Sequence, residues 1–279
     1  MSDTVELTLG HSPDPDDAFM FYGLAAGRVD SGRYRFTHRL EDIQTLNERA
    51  RRGELDVTAI SVHAYAHVCD KYALLPTGAS MGDGYGPIVV AKRTLSRAEL
   101  AGMTIAVPGL LTTAYLALRL AIGDFRAVTA PFDEILPRVA AGEFAAGLLI
   151  HEGQLTYGGE GLANCLDLGI WWREETGLPL PLGANAIHKR HDPDRRREIS
   201  AILTESIRYG LAHREAALAH ALRWARGLDG KLADRFVGMY VNDWTLDYGE
   251  RGRAAIRELL DRGRRAGLVP AVDRVEFVA

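Results

Sequence analysis

The chain predicts an α/β protein of two similarly built lobes with a ligand cleft between them, and three observations carry that expectation. A helix, a Gly-Glu step, a short apolar strand and a polar strand-end residue occur twice in the same order. Leu46, Gly53-Glu54 and Ser61 are echoed by Leu136, Gly142-Glu143 and His151. The run Leu178-Pro179-Leu180-Pro181-Leu182-Gly183-Ala184 is barred from a helix by its prolines and suits an extended crossing back to the first lobe. Finally, 279 residues, 47% of them hydrophobic, supply apolar material for a sizeable core. On this basis residues 1–92 and 186–279 are assigned to lobe I and 93–185 to lobe II.

Composition narrows the function classes. The formal net charge is −4, and no basic tract stands above the background, which argues against nucleic acid as a partner. Arg195-Arg196-Arg197, at a helix start, reads as a solvated surface cluster. Cys69 and Cys165 are distant and in no metal-like spacing, as expected in a reducing compartment. The first residues lack a basic region and lead at once into a strand, and no apolar run is long enough to span a bilayer. A cytoplasmic protein without membrane partners is expected.

Taken in order, Val5–Leu9 is a strand that delivers Gly10-His11-Ser12-Pro13-Asp14-Pro15-Asp16-Asp17. Asp14 suits an N-cap, Pro15 the first helical position and Asp17 the acid of a capping box, opening a helix that ends at Gly27. Three carboxylates at a helix start either complement its dipole or belong to a site; Ser12 is the stronger site candidate. Tyr34–Thr37 alternates as a strand, Asp42–Arg51 is an amphipathic helix, and Leu55–Ile60 is a short strand ending on Ser61. In the next helix His63 and His67 stand at i, i+4, but no third ligand is near in sequence, so they are expected on the helix surface rather than on a metal.

Gly78–Pro87 is glycine-dense and reads as an irregular turn, without the Lys-Ser/Thr of a phosphate loop. Ile88–Ala91 is strand-like and leads out of the first lobe. Thr104–Val107 is a strand stopping at Pro108-Gly109, and the helix Ala114–Ile122 comes next. Thr112 or Thr113 can cap that helix, and its first turn carries no acid. Its amides and positive dipole end are then open to an anion such as a carboxylate. Later, Arg195–His213, Arg214–Gly227, Asp229–Val241 and Gly249–Gly267 read as helices packing on the first lobe.

The most informative stretch is Gly147-Leu148-Leu149-Ile150-His151-Glu152-Gly153. Apolar residues bounded by glycines suggest a buried parallel strand, which places the residues after it at the carboxyl edge of the sheet, where open α/β sheets bind ligands. Those residues are an imidazole beside a carboxylate: a hydrogen-bonded loop feature, or a proton acceptor. Glu152 ranks second, because adjacent strand-end residues point to opposite sides.

Several of these segments, taken together, carry a resemblance. Ser12-Pro13-x-Pro15-x-Asp17 with Phe19 and Phe21-Tyr22, Val107-Pro108-Gly109 with Thr112-Thr113-Ala114-Tyr115, and Leu149-Ile150-His151-Glu152 resemble the 1,4-dihydroxy-6-naphthoate synthase family of the futalosine route to menaquinone. So do Leu168-Gly169-x-Trp171-Trp172, Thr176–Gly183 and Tyr240-Val241-Asn242, in order along nearly the whole chain. Asp14 and Asp16 depart from it, standing where the family often has Cys and Asn.

The resemblance implies the two-lobed, type II periplasmic-binding-protein-like fold. It implies a cytoplasmic lyase that converts cyclic dehypoxanthinyl futalosine to 1,4-dihydroxy-6-naphthoate with no metal or organic cofactor. It implies His151 as proton acceptor, and substrate contacts at Ala59, Ile60 and Ser61 and at Thr113 and Ala114. Ser12 and Thr112 join the expected substrate contacts, with Asp14 and Glu152 as secondary candidates. Chorismate dehydratase, of the same pathway and fold, is the alternative enzyme, and a solute-binding protein without chemistry the alternative from another class.

Overall fold

A computed structural model describes residues 4–224 and 230–278. Eleven strands are described: β1 (Val5–His11), β2 (Tyr34–Leu40), β3 (Val57–Ser61), β4 (Tyr72–Leu74), β5 (Ser80–Gly82), β6 (Ile88–Ala91), β7 (Thr104–Val107), β8 (Arg126–Thr129), β9 (Ala146–Leu149), β10 (Ala163–Asp167) and β11 (Leu180–His188). They form two sheets. The first runs β2-β1-β3-β11-β4, with β5 also paired to β11; the second runs β10-β6-β9-β7-β8. Read from the other edge, the second sheet repeats the first. In each, the lobe's opening parallel strand (β1 or β7) lies between the next two, and the strand that has just crossed from the other lobe (β11 or β6) runs antiparallel beside the third.

This pairing corrects the boundaries drawn from the sequence. Ile88–Ala91, assigned to lobe I, pairs among the described strands with β9 and β10 of the second sheet, and the residues of β11 before 186, assigned to lobe II, pair with β3 and β5 of the first. The crossings therefore lie near residues 83–87 and 177–179. An apolar run does not reveal which sheet it joins, because both interiors are equally apolar. The first crossing packs closely on the start of the helix Leu168–Thr176: a Cβ on Gly169 would stand 1.8 Å from the Tyr85 carbonyl oxygen, so only glycine fits there. The glycine-dense segment, expected to be irregular throughout, also contains β5.

Helix starts follow local chemistry. Asp42 accepts from the N–H groups of Gln44 and Thr45 to open the helix Ile43–Arg52, which Gly53 closes at a left-handed φ of 69°. The capping box expected at Asp14 and Asp17 does not form. The helix Pro15–Met20 has no side-chain cap bond from Asp14, and the Asp17 carboxylate instead takes the Ser12 N–H at 2.6 Å. This helix also breaks at Phe21 before a short turn of helix, Tyr22–Ala25.

Leu7, Leu9, Phe19, Phe21, Ile199, Leu203 and Ile207 make the first lobe's outer core, placing the helix Pro193–Ala212 on that sheet. The helix Gly249–Arg265, expected on the first lobe, lies across both, its Ile256, Leu259 and Leu260 sharing a core with Leu116 and Trp172. Arg214–Ala221 and Gly230–Tyr240 are helical; the expected helix end at Gly227 and start at Asp229 lie outside the described residues.

Candidate active site

The carboxyl ends of β1, β3 and β7 deliver their turns to one place. A cavity of about 120 Å³ lies between the lobes, lined by Ser12, Asp14, Asp16, Asp17, Ala59, Ile60, Ser61, Thr112, Thr113, Ala114, Ile150, Asn185 and Tyr240, among others. Every substrate-contact residue named from the sequence lies on it, as does the secondary candidate Asp14. His151 and Glu152 do not; the chain lines the cavity up to Ile150 and then turns away.

In lobe II, Thr112 caps the helix Thr113–Ile122 by accepting from the Tyr115 N–H at 3.2 Å while its hydroxyl donates to the Gly109 carbonyl at 2.8 Å. The helix has no acid in its first turn, and the N–H groups of Thr113 and Ala114 have no carbonyl one turn back to bind. The positive end of the helix therefore faces the cleft.

The lobes meet tightly here. Thr113 donates its hydroxyl to the Leu182 carbonyl at 2.6 Å and accepts from the His63 N–H at 3.2 Å. The Leu111 N–H reaches Gln44 Oε1 at 3.0 Å, and Tyr240 donates to Gln154 Oε1 at 2.9 Å. These bonds run between the two lobes, so the cleft is closed.

In lobe I, Ser12 donates its hydroxyl to Asp14 at 2.6 Å and its N–H to Asp17. Burial pushes the Asp17 carboxyl up to about 7; the Ser12 N–H opposes this and the Asp14 charge adds to it. Asp16 is driven well above the usual carboxylate range, by burial first and then by Asp17 and Asp14. Ser61 is held by Asn47, which takes the Ser61 N–H at 2.9 Å and donates to its Oγ at 3.0 Å.

His151 is buried in the second lobe. Its Nε2 lies 2.7 Å from the Phe132 carbonyl oxygen, and its Nδ1 accepts from the Gly153 N–H at 2.8 Å. A carbonyl can only accept and an N–H can only donate, so Nε2 carries the proton and Nδ1 the lone pair. Glu152 is buried too, its Oε2 3.9 Å from Nδ1 and without a hydrogen-bond partner among the described residues. The expectation that the two point to opposite sides is corrected. The strand ends at Leu149, Glu152 has helical φ and ψ, and strand alternation no longer applies.

His63 is likewise buried rather than on the helix surface. Its Nδ1 lies 3.1 Å from the Thr112 carbonyl, and burial holds its imidazole down to about 4. No group of His, Cys, Asp or Glu among the described residues is arranged to hold a metal ion.

Asn47, Gln44, Asn185 and the Tyr240–Gln154 pair escape a reading of the sequence. Asn47 has a signal, a polar side chain beside Leu46 on the buried stripe of an amphipathic helix. The others are placed by tertiary pairing that no local pattern marks.

A family model described as menaquinone biosynthesis matches residues 7–265. Over 272 residues the chain is 43% identical to the 1,4-dihydroxy-6-naphthoate synthase of Thermus thermophilus, covering 98% of this chain and 99% of that one. The chain belongs to the 1,4-dihydroxy-6-naphthoate synthase family of menaquinone biosynthesis. The Streptomyces coelicolor enzyme of the same name is 40% identical over 272 residues, 95% of each chain.

A crystal structure of protein AF1704 from Archaeoglobus fulgidus superposes with a TM-score of 0.91 at 47% identity, over 95% of this chain and 98% of that one. The alkanesulfonate-binding protein SsuA from Xanthomonas axonopodis shares the fold alone, with a TM-score of 0.71 at 13% identity, over 97% and 96% of the chains. The chain is thus a lyase-type enzyme of menaquinone biosynthesis on a two-lobed, periplasmic-binding-protein-like fold. No helix among the described residues is long and apolar enough to cross a membrane.

Proposed function

We propose that this enzyme converts cyclic dehypoxanthinyl futalosine to 1,4-dihydroxy-6-naphthoate, with His151 removing a substrate proton. The observation that supports this most is the anchoring of His151 Nε2–H on the Phe132 carbonyl, which fixes the tautomer and leaves Nδ1 as the ring's single basic atom. In the closed form the Gly153 N–H covers that atom. Base action therefore requires the Glu152-Gly153 turn to move as substrate enters, uncovering Nδ1 toward the cleft beside Ile150. The substrate's carboxylate sits on the amides at Thr113 and Ala114, where the helix end favours negative charge. Closure removes water from the reacting centre, and the gain of a fully aromatic naphthoate drives the bond cleavage.

Removing a general base typically costs about 10²–10⁴-fold in rate. His151→Asn and His151→Ala are expected to lose turnover on that scale while binding of cyclic dehypoxanthinyl futalosine persists by calorimetry.

A second reading has its own observation. Asp16 and Asp17 line the cavity, as His151 does not, and burial raises both carboxyls, that of Asp17 to about 7, where it can exchange a proton near neutrality. Near-normal turnover in His151→Asn, with loss in Asp16→Asn or Asp17→Asn, would transfer the role to the carboxyls.

A further inference from the structure

The polar side chains nominated for the substrate are already engaged by the protein. Ser12 donates to Asp14, Ser61 accepts from Asn47, Thr112 donates to Gly109 and Thr113 donates to Leu182. Asn185 differs. It is 1% exposed, lines the same cavity, and its Nδ2 has no hydrogen-bond partner among the described residues. A buried amide donor is costly to leave unpaired, and such groups in folded proteins are almost always satisfied by protein, water or ligand.

Its position is set by register. Asn185 on β11 pairs with Ala59 on β3, and Gly183 pairs with Ser61. Paired residues share a face of the sheet, so Asn185 and Ser61 stand on one surface with only Ala59 and Gly183 between them. The chain also clears space for the amide. Gly78, at a φ of 83°, faces it, and a Cβ there would lie 2.0 Å from Nδ2.

We infer that Asn185 is a substrate-binding residue that donates its side-chain amide to a neutral oxygen of the substrate, a hydroxyl or a carbonyl. The oxygen is neutral because the Asp14 charge, which lines the first-lobe side of this cavity and raises Asp16 and Asp17, repels a carboxylate there. The substrate's acidic group belongs at the opposite wall, on the amides of the helix Thr113–Ile122. This assignment rests on the proposed cleft reaction and adds the group that orients the uncharged end of the substrate within it.

The test uses Asn185→Leu, nearly the same shape without the donor, and Asn185→Ser, smaller and still able to donate. Thermal unfolding of the unliganded proteins is measured together with calorimetric binding and turnover of cyclic dehypoxanthinyl futalosine. A neutral hydrogen bond corresponds to roughly a 3–10-fold change in affinity. Asn185→Leu is expected to bind about 10-fold more weakly while its unliganded melting temperature is unchanged or higher, since no protein bond from Nδ2 is lost. Asn185→Ser is expected to recover part of the affinity. Loss of melting temperature in step with affinity would make Asn185 a structural residue and overturn the inference. Wild-type affinity in both variants would also overturn it while leaving the proposed reaction standing. Absence of binding and turnover in the wild type would remove both.

Discussion

Two turns of the same build line opposite sides of the cleft, and they handle charge in opposite ways. β1 and β7 hold equivalent places in the two sheets, and each hands the chain to a helix at the cavity. In lobe I that turn carries Asp14, Asp16 and Asp17, and Ser12 is bound by two of them. In lobe II the corresponding helix has no acid in its first turn, and Thr112 satisfies only the Tyr115 N–H. The first turn is filled by the protein's own acids, with the Asp14 charge among them; the second keeps its positive end for an anion from outside. A substrate with one acidic end is thereby oriented before any specific contact is made, acid toward lobe II and neutral part toward lobe I.

The most severe test of that contrast is to give lobe II an acid of its own. Thr113→Asp places a carboxylate where the substrate's is proposed to sit and also removes the hydroxyl that reaches Leu182. Affinity for cyclic dehypoxanthinyl futalosine is expected to fall on the order of 100-fold, about 2.7 kcal/mol. Thr113→Ser, which keeps the hydroxyl, should change it only a few-fold. Thr113→Val separates charge from closure, since it loses the cross-lobe bond and adds no charge. Equal weakening in the Asp and Val variants would show that lobe closure, and not an anion site, is what Thr113 provides.

The reverse experiment takes an acid from lobe I. Folded Asp17 keeps its proton up to about 7, against an ordinary value of 3.8. Its favourable contribution is therefore present at low pH and lost as pH rises from about 4 to 7. His11 and His63 behave oppositely. Burial lowers both from 6.5 to about 4, so the fold loses stability as pH falls through that interval. In the wild type the two slopes oppose each other on the acid side. Asp17→Asn keeps an oxygen for the Ser12 N–H and removes one slope. It is expected to be more stable than wild type at pH 8, on the order of 2 kcal/mol, and to lose that lead toward pH 4. Urea unfolding across the pH range checks this; parallel curves for the two proteins would contradict it.

How much of this was legible depended on whether the cause was local. The cap at Thr112, the Gly53 helix stop and the acid-free first turn could all be read from a few adjacent residues, because local hydrogen bonding dictates them. The repeated unit gave two lobes, since each copy must bury its own strand. The lobe boundaries failed at Ile88–Ala91 and at β11 because pairing partners are remote in sequence. Asn185 was invisible for the same reason: an asparagine in an apolar run becomes informative only when Ala59, Gly183 and Gly78 are seen around it. His151 was legible as a candidate. Its bonds to Phe132 and Gly153 were not, since they depend on a helix start nineteen residues away and on the strand ending early.

The smallest effects sharpen the comparison at the level of capping. Thr112 makes two bonds in its turn, accepting from Tyr115 and donating to Gly109, and is buried. Thr112→Val removes both and leaves the Gly109 carbonyl with only the longer bond from the Thr112 N–H at 3.4 Å, so a loss of about 1–2 kcal/mol in unfolding free energy is expected. Asp14 occupies the matching N-cap position in lobe I but makes no side-chain cap bond, and its charge raises both Asp16 and Asp17. Asp14→Asn keeps an oxygen for the Ser12 hydroxyl and removes that repulsion. The two changes nearly cancel, and the net effect should lie within about 0.5 kcal/mol, with the Asp17 titration moving down from about 7. Urea unfolding measures the first quantity and carboxyl-detected NMR titration the second. If Asp14→Asn cost as much as Thr112→Val and left Asp17 unmoved, the lobe I turn would be an ordinary capped helix start, and its carboxylates would not be what turns an acidic ligand toward lobe II.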